Sequence, residues 1–85
     1  MPDLNEAIAL YDAKAYEKAY EIFVQLGRKR DSEALFYLGM MYFYGEGVDA
    51  DETKCMEYWR QAMREGHREA AYRLSEIRTS TKTTF

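Results

Sequence analysis

The chain has a single cysteine, no long apolar run and no excess of positive charge, and each lack excludes a class of function. One cysteine cannot form an internal disulfide, so nothing here demands an oxidising compartment. Cys55 and His67 are the only soft metal ligands apart from methionine, too few to close a structural or a catalytic zinc site. As a nucleophile and base they also lack an orienting third group. No stretch reaches the roughly 18–20 apolar residues of a membrane span, and residues 1–6 lack the basic start and apolar stretch of a secretion signal. A net charge of −3 argues against nucleic acid as the main partner, because phosphate binding needs a positive surface. The glycines of Gly45-Glu46-Gly47 match neither the P-loop nor the dinucleotide spacing, and Glu46 would repel phosphate. No carboxylate pairing for acid–base work can be inferred. These lacks predict a cytoplasmic, non-enzymatic protein without cofactor or metal, whose partner is neither nucleic acid nor membrane.

What the chain does have is aromatic residues, 15% of its length, in a composition 47% apolar and 32% charged that suits a folded domain. Eighty-five residues lie near the lower limit for a self-sufficient core. Charge is uneven: residues 1–52 hold eleven acids and five bases, hence −6, while residues 53–85 hold four acids and seven bases, hence +3. Such asymmetry can steer an oriented partner or favour head-to-tail association, although solvated helix faces account for most of these charges.

The chain also repeats itself. Glu33-Ala34-Leu35-Phe36-Tyr37-Leu38-Gly39 returns 36 residues later as Glu69-Ala70-Ala71-Tyr72-Arg73-Leu74-Ser75. Lys18 to Leu26 returns at the same offset as Lys54 to Ala62. A period in this range marks stacked helical units. Apolar spacing predicts five helices and no strand, since no segment alternates with period two. Asp3 caps the first, which carries Leu4, Ala7, Ile8, Leu10 and Tyr11. The second starts near Tyr16 and ends at Gly27, with Arg28-Lys29-Arg30 at the negative end of its dipole. Asp31 or Ser32 caps a third to Tyr44, apolar almost all round; Asp51 caps a fourth to about Glu65, and a fifth runs from His67 to Ile77. Residues 79–85 show no periodicity and are expected to be a disordered tail. Ala19, Ala34, Gly39, Cys55, Ala62 and Ala70 mark places where helices approach closely.

Ala34, Leu38, Gly39, Tyr42, Gly45, Gly47, Val48, Asp51, Lys54, Trp59, Ala62, Gly66 and Ala70 together resemble the Sel-one-like repeat, a close relative of the tetratricopeptide repeat. The likeness covers one full unit, residues 31–66. Residues 3–30 resemble a shorter tetratricopeptide-like unit without the glycine loop, and residues 67–78 the first helix of another unit used as a cap. Cys55 stands where the family usually has alanine, and Ser75 where it has glycine. The resemblance implies one domain over residues 1–78, all-α, a right-handed α–α superhelix of two helix–turn–helix units plus a capping helix. It further implies a protein–protein adaptor or scaffold without enzymatic activity, with the first helix of each pair lining a concave surface.

On that surface Ile8, Tyr11, Phe36, Tyr37, Met40, Phe43, Tyr44, Tyr72 and Arg73 are the candidate protein-binding residues, an aromatic groove with charged ends of the kind that anchors interfaces. The competing reading is that neighbouring helices bury these aromatics as core. The partner expected is an extended or helical segment of another protein. The alternative is a structural unit that homodimerises through an open helical end.

Overall fold

The computed structural model describes residues 2–82. They form α1 (Leu4–Asp12), α2 (Tyr16–Arg28), α3 (Ser32–Tyr44), α4 (Glu52–Arg64) and α5 (Arg68–Lys82), with no strand among the described residues. Each helix packs on the next in chain order, α3 on α4 most extensively, giving an elongated stack of 48 × 25 × 17 Å. This is an all-α repeat solenoid.

Local chemistry explains the helix starts. The Asp3, Asp31 and Asp51 carboxylates accept hydrogen bonds from the backbone N–H groups of Glu6 (2.9 Å), Ala34 (3.1 Å) and Lys54 (3.1 Å). Each satisfies an orphan donor, worth about 1 kcal/mol. The helix ends hold two differences from the sequence reading. First, α2 does not stop at Gly27 but runs to Arg28, and the chain reverses at Arg30 with φ +67°. Gly27 serves packing instead: a Cβ there would lie 3.2 Å from Leu35 Cδ2 and 3.3 Å from Leu38 Cδ1. Second, α5 continues to Lys82, beyond the Ile77 end that periodicity marks, while residues 83–85 of the expected tail lie outside the described residues.

Two buried clusters run through the stack. Ala7, Ala19, Ile22, Phe23, Ala34, Leu38 and Met41 form one; Leu35, Phe36, Tyr42, Cys55, Trp59, Ala62 and Ala70 form the other. The small residues at the close approaches are buried, with Ala19, Ala34, Cys55, Ala62 and Ala70 all at 0% exposure. The tightest approach is at Gly39, where a Cβ would stand 2.2 Å from Trp59 Cδ1, so the indole lies directly on the α3 backbone. Its Nε1–H donates to the Phe36 carbonyl at 3.0 Å, satisfying a buried donor that would otherwise cost about 1–3 kcal/mol. Leu38 joins the α2-facing cluster and Gly39 meets α4, while Tyr42 touches both, its ring stacking on Tyr58 at 5.8 Å and its hydroxyl sharing a hydrogen bond with that of Tyr20 at 2.8 Å. An α3 apolar on nearly every side is thus a helix clasped between α2 and α4.

The loop after α3 needs its glycines. Gly45 (φ +71°) ends the helix in the left-handed region, and Gly47 (φ +76°) passes so near α2 that a Cβ would come within 2.8 Å of Tyr16 Cβ. Only glycine adopts the first without strain and fits the second. The chain is thereby returned to Asp51, whose N–H donates to the Tyr42 carbonyl at 2.9 Å.

Candidate functional site

Among the described residues Phe43, Tyr44, Met63 and Tyr72 are the exposed large apolar side chains, and three of them belong to α3 and α5. Phe43 (38% exposed) and Tyr44 (55%) are the last two residues of α3, which Gly45 ends in the left-handed region. Their rings meet edge to face at 4.9 Å, and Phe43 leans on Trp59 at 5.7 Å. Tyr72 (60% exposed) stands on α5 beside Arg73.

Arg73 ties the two helices together. Its Nε–H donates to Glu69 at 3.0 Å, one turn back on α5. The guanidinium lies 5.7 Å above the Phe36 ring and 6.0 Å above Trp59, within cation–π range. Glu69 and the Tyr44 hydroxyl both raise its pKa, while partial burial opposes them as the largest single effect. Beneath it, Phe36 is stacked between the Trp59 indole at 6.2 Å and the His67 ring at 4.4 Å. Phe36 is therefore only 9% exposed, and it supports the surface rather than forming it.

His67 shapes this end of the site. Its Nδ1 accepts the Ala70 N–H at 3.1 Å, an N-terminal cap for α5. The ring proton must then sit on Nε2, which donates to the Glu33 carboxylate at the start of α3. A single imidazole so joins the N-terminal ends of two first helices.

On the α1 side, Tyr11 meets Tyr37 edge to face at 5.1 Å, and Tyr37 stacks on Phe23 at 4.9 Å. The Tyr11 hydroxyl donates to Glu46 at 2.6 Å, linking the end of α1 to the loop after α3. Burial, reinforced by that carboxylate, pushes the Tyr11 pKa well above the usual tyrosine range. Burial also raises Tyr37, with Glu33 and Asp12 adding to it. At Tyr72 the Glu76 carboxylate is the main cause of a similar rise. Ile8 and Met40 are half-buried against the two clusters.

The structure thus links Phe36, Phe43, Tyr44 and Arg73 with Trp59 and His67, and Tyr11 with Tyr37, the two sets meeting where Phe36 touches Tyr37 at 5.9 Å. Trp59, His67, Glu33 and Glu46 were not among the sequence candidates. At the 36-residue offset His67 takes the place of the Asp31 cap and Glu33 that of Glu69, and this register, with the helix boundary at Gly66, was the available signal.

The chemistry of the remaining candidates is inert. Cys55 is fully buried and its pKa is pushed up to about 12, chiefly by desolvation. Burial favours the thiol over the thiolate, which is the reactive form. No group of three or more metal-ligating residues occurs among the described residues. No described helix is long and apolar enough to cross a membrane. An open depression of about 480 Å³ lies at the α1–α2 turn, lined by Leu10, Lys14, Tyr16, Lys18 and Gly47, and none of the candidates lines it.

The helix pair that holds the glycine loop and the Gly39–Trp59 contact is also the part of the chain that a family model matches. Residues 32–67 match the Sel1 repeat. The matched unit runs from the first residue of α3 to the histidine that caps α5, so it takes in the α3–α4 pair and its loop. Searches of curated proteins and of solved structures gave no significant match. The Sel1 repeat carries the general reading of a protein-interaction module, and the packing of Gly39 under Trp59 falls within it.

Proposed function

We propose that the protein is a non-enzymatic adaptor that docks a segment of a partner protein across the first helices of its pairs, α1, α3 and α5. The observation that carries this reading is the exposure of aromatics there: Phe43 and Tyr44 are held out at the end of α3 against Trp59 and Arg73, and Tyr72 stands exposed on α5. Rigid aromatic anchors lose little entropy on binding and dominate interface energetics. A free-standing monomer gains nothing by exposing them.

Photocrosslinking tests the adaptor. A benzophenone amino acid placed at Tyr44 or Tyr72 captures the partner in cells, whereas the same group at Gln25, exposed on α2, does not. Equal capture from all three positions contradicts the reading.

A further inference from the structure

The helix ends of this molecule follow a pattern that stability alone does not explain. A helix C-terminus carries about half a negative charge, and a base in the last turn offsets it. Arg28 does so on α2 and Arg64 on α4. The last turns of α1 and α3 contain no base. Instead α1 ends on Asp12, and Glu46 follows α3 by two residues. Neither helix contains a lysine or arginine anywhere.

These two ends lie side by side, because the Tyr11 hydroxyl spans them to reach Glu46. One edge of the proposed docking face therefore gathers two helix C-termini, the Asp12 and Glu46 carboxylates and the Tyr11 ring, with Tyr44 the last residue of α3. Among the described residues the nearby bases form no ion pair with Asp12 or Glu46. Arg73 reaches Tyr44 from α5, but Glu69 matches its charge. Lys14 lines the depression at the α1–α2 turn together with Lys18. Sequence choices that break a local stability rule mark function more often than neglect.

Resting on the adaptor reading, we propose that this edge receives arginine side chains of the partner segment, each guanidinium set against a tyrosine ring and a carboxylate. Arginine suits the site because its planar cation stacks on an aromatic face while its fork donates to a carboxylate. The protein already holds one guanidinium this way: Arg73 lies over Phe36 and Trp59 and donates to Glu69. Continuous with that pair through Tyr37, the α1–α3 edge offers aromatic and acidic chemistry with no ion pair to Asp12 or Glu46 among the described residues. Charge complementarity thus names the occupant.

The test is an NMR titration of the full chain with a short, end-blocked peptide of alternating arginine and leucine, beside counterparts carrying citrulline or glutamate in place of arginine. The arginine peptide shifts the amides of Tyr11, Tyr44 and Glu46; citrulline binds at least fivefold more weakly, and glutamate leaves them unmoved. Asp12→Asn with Glu46→Gln weakens the arginine peptide about three- to tenfold, as expected for losing two partly exposed ion pairs. Glu17→Gln with Glu21→Gln, both exposed on α2, leaves affinity unchanged. Equal weakening by the two double variants means diffuse attraction to an acidic protein and overturns the proposal. Equal binding of arginine and citrulline peptides also overturns it, and would leave the adaptor reading standing because the face still docks a peptide. Absence of arginine-peptide binding overturns it as well, and photocrosslinking from Tyr44 then judges the adaptor separately.

Discussion

Replacing Gly39 by alanine tests the packing that positions the docking face. In an exposed helix this change would stabilise by about 0.5–1 kcal/mol, because glycine costs more backbone entropy. Here the added methyl would stand 2.2 Å from Trp59 Cδ1 and Nε1, far inside contact distance. The indole has no free space, since it is 1% exposed and backed by Phe36 and Phe43. Overpacking of this kind costs about 1–3 kcal/mol. Displacing the ring also breaks the Nε1–H bond to the Phe36 carbonyl, leaving a buried donor at a further cost of about 1–3 kcal/mol. After the helix gain the net loss is about 1–5 kcal/mol, a large part of the ~4–13 kcal/mol expected for a chain this short. At about 4–8 °C per kcal/mol, melting falls by roughly 5–40 °C. Trp59 is the sole tryptophan, so its emission reports the site directly during urea unfolding followed by circular dichroism. The Gly39→Ala protein shows red-shifted emission and a lower midpoint. Unchanged emission with equal or higher stability would refute the packing argument.

Three further outcomes follow from named contacts. His67→Ala removes the Ala70 cap, the Glu33 bond and the ring on Phe36, lowering stability by about 1–2 kcal/mol in urea melts, and His67→Asn recovers part of it by restoring the cap; equal losses in both would deny the capping role. Cys55 in the native protein reacts with a thiol reagent no faster than the chain unfolds, since burial holds its pKa up at about 12, and labelling within the mixing time would contradict that burial. Stability falls as pH rises above the ordinary tyrosine value of 10.0, because Tyr11 and Tyr42 have raised pKa values in the fold and the unfolded chain releases those protons first; a melting temperature that stays flat from neutral pH to well above that value would show these hydroxyls to be free.

Much of the fold was legible because it rests on local signals. The carboxylates of Asp3, Asp31 and Asp51 announce helix starts, and the return of Glu33-Ala34 as Glu69-Ala70 announces stacking. Gly27 misleads because two pressures select glycine: a left-handed cap and a close approach. Here the approach of Leu35 and Leu38 decides, and Arg30 takes the left-handed position without glycine's help. The candidate face was legible only as a list of aromatics. Phe36 and Tyr44 are alike in a helical pattern, yet one lies under Arg73 and between Trp59 and His67 while the other stands in water. That division depends on side chains 23 to 37 residues away, which spacing within α3 cannot register.

The most direct test of the central claim compares affinities for a partner segment identified by crosslinking. Titration calorimetry on the wild-type chain and on the Tyr44→Ala, Tyr72→Ala double variant measures what the exposed aromatics contribute. Both side chains are more than half exposed, so their loss changes stability by less than about 1 kcal/mol in total. The account predicts at least a tenfold rise in Kd with the urea midpoint nearly unchanged. An unaltered Kd in a fully folded double variant would contradict it.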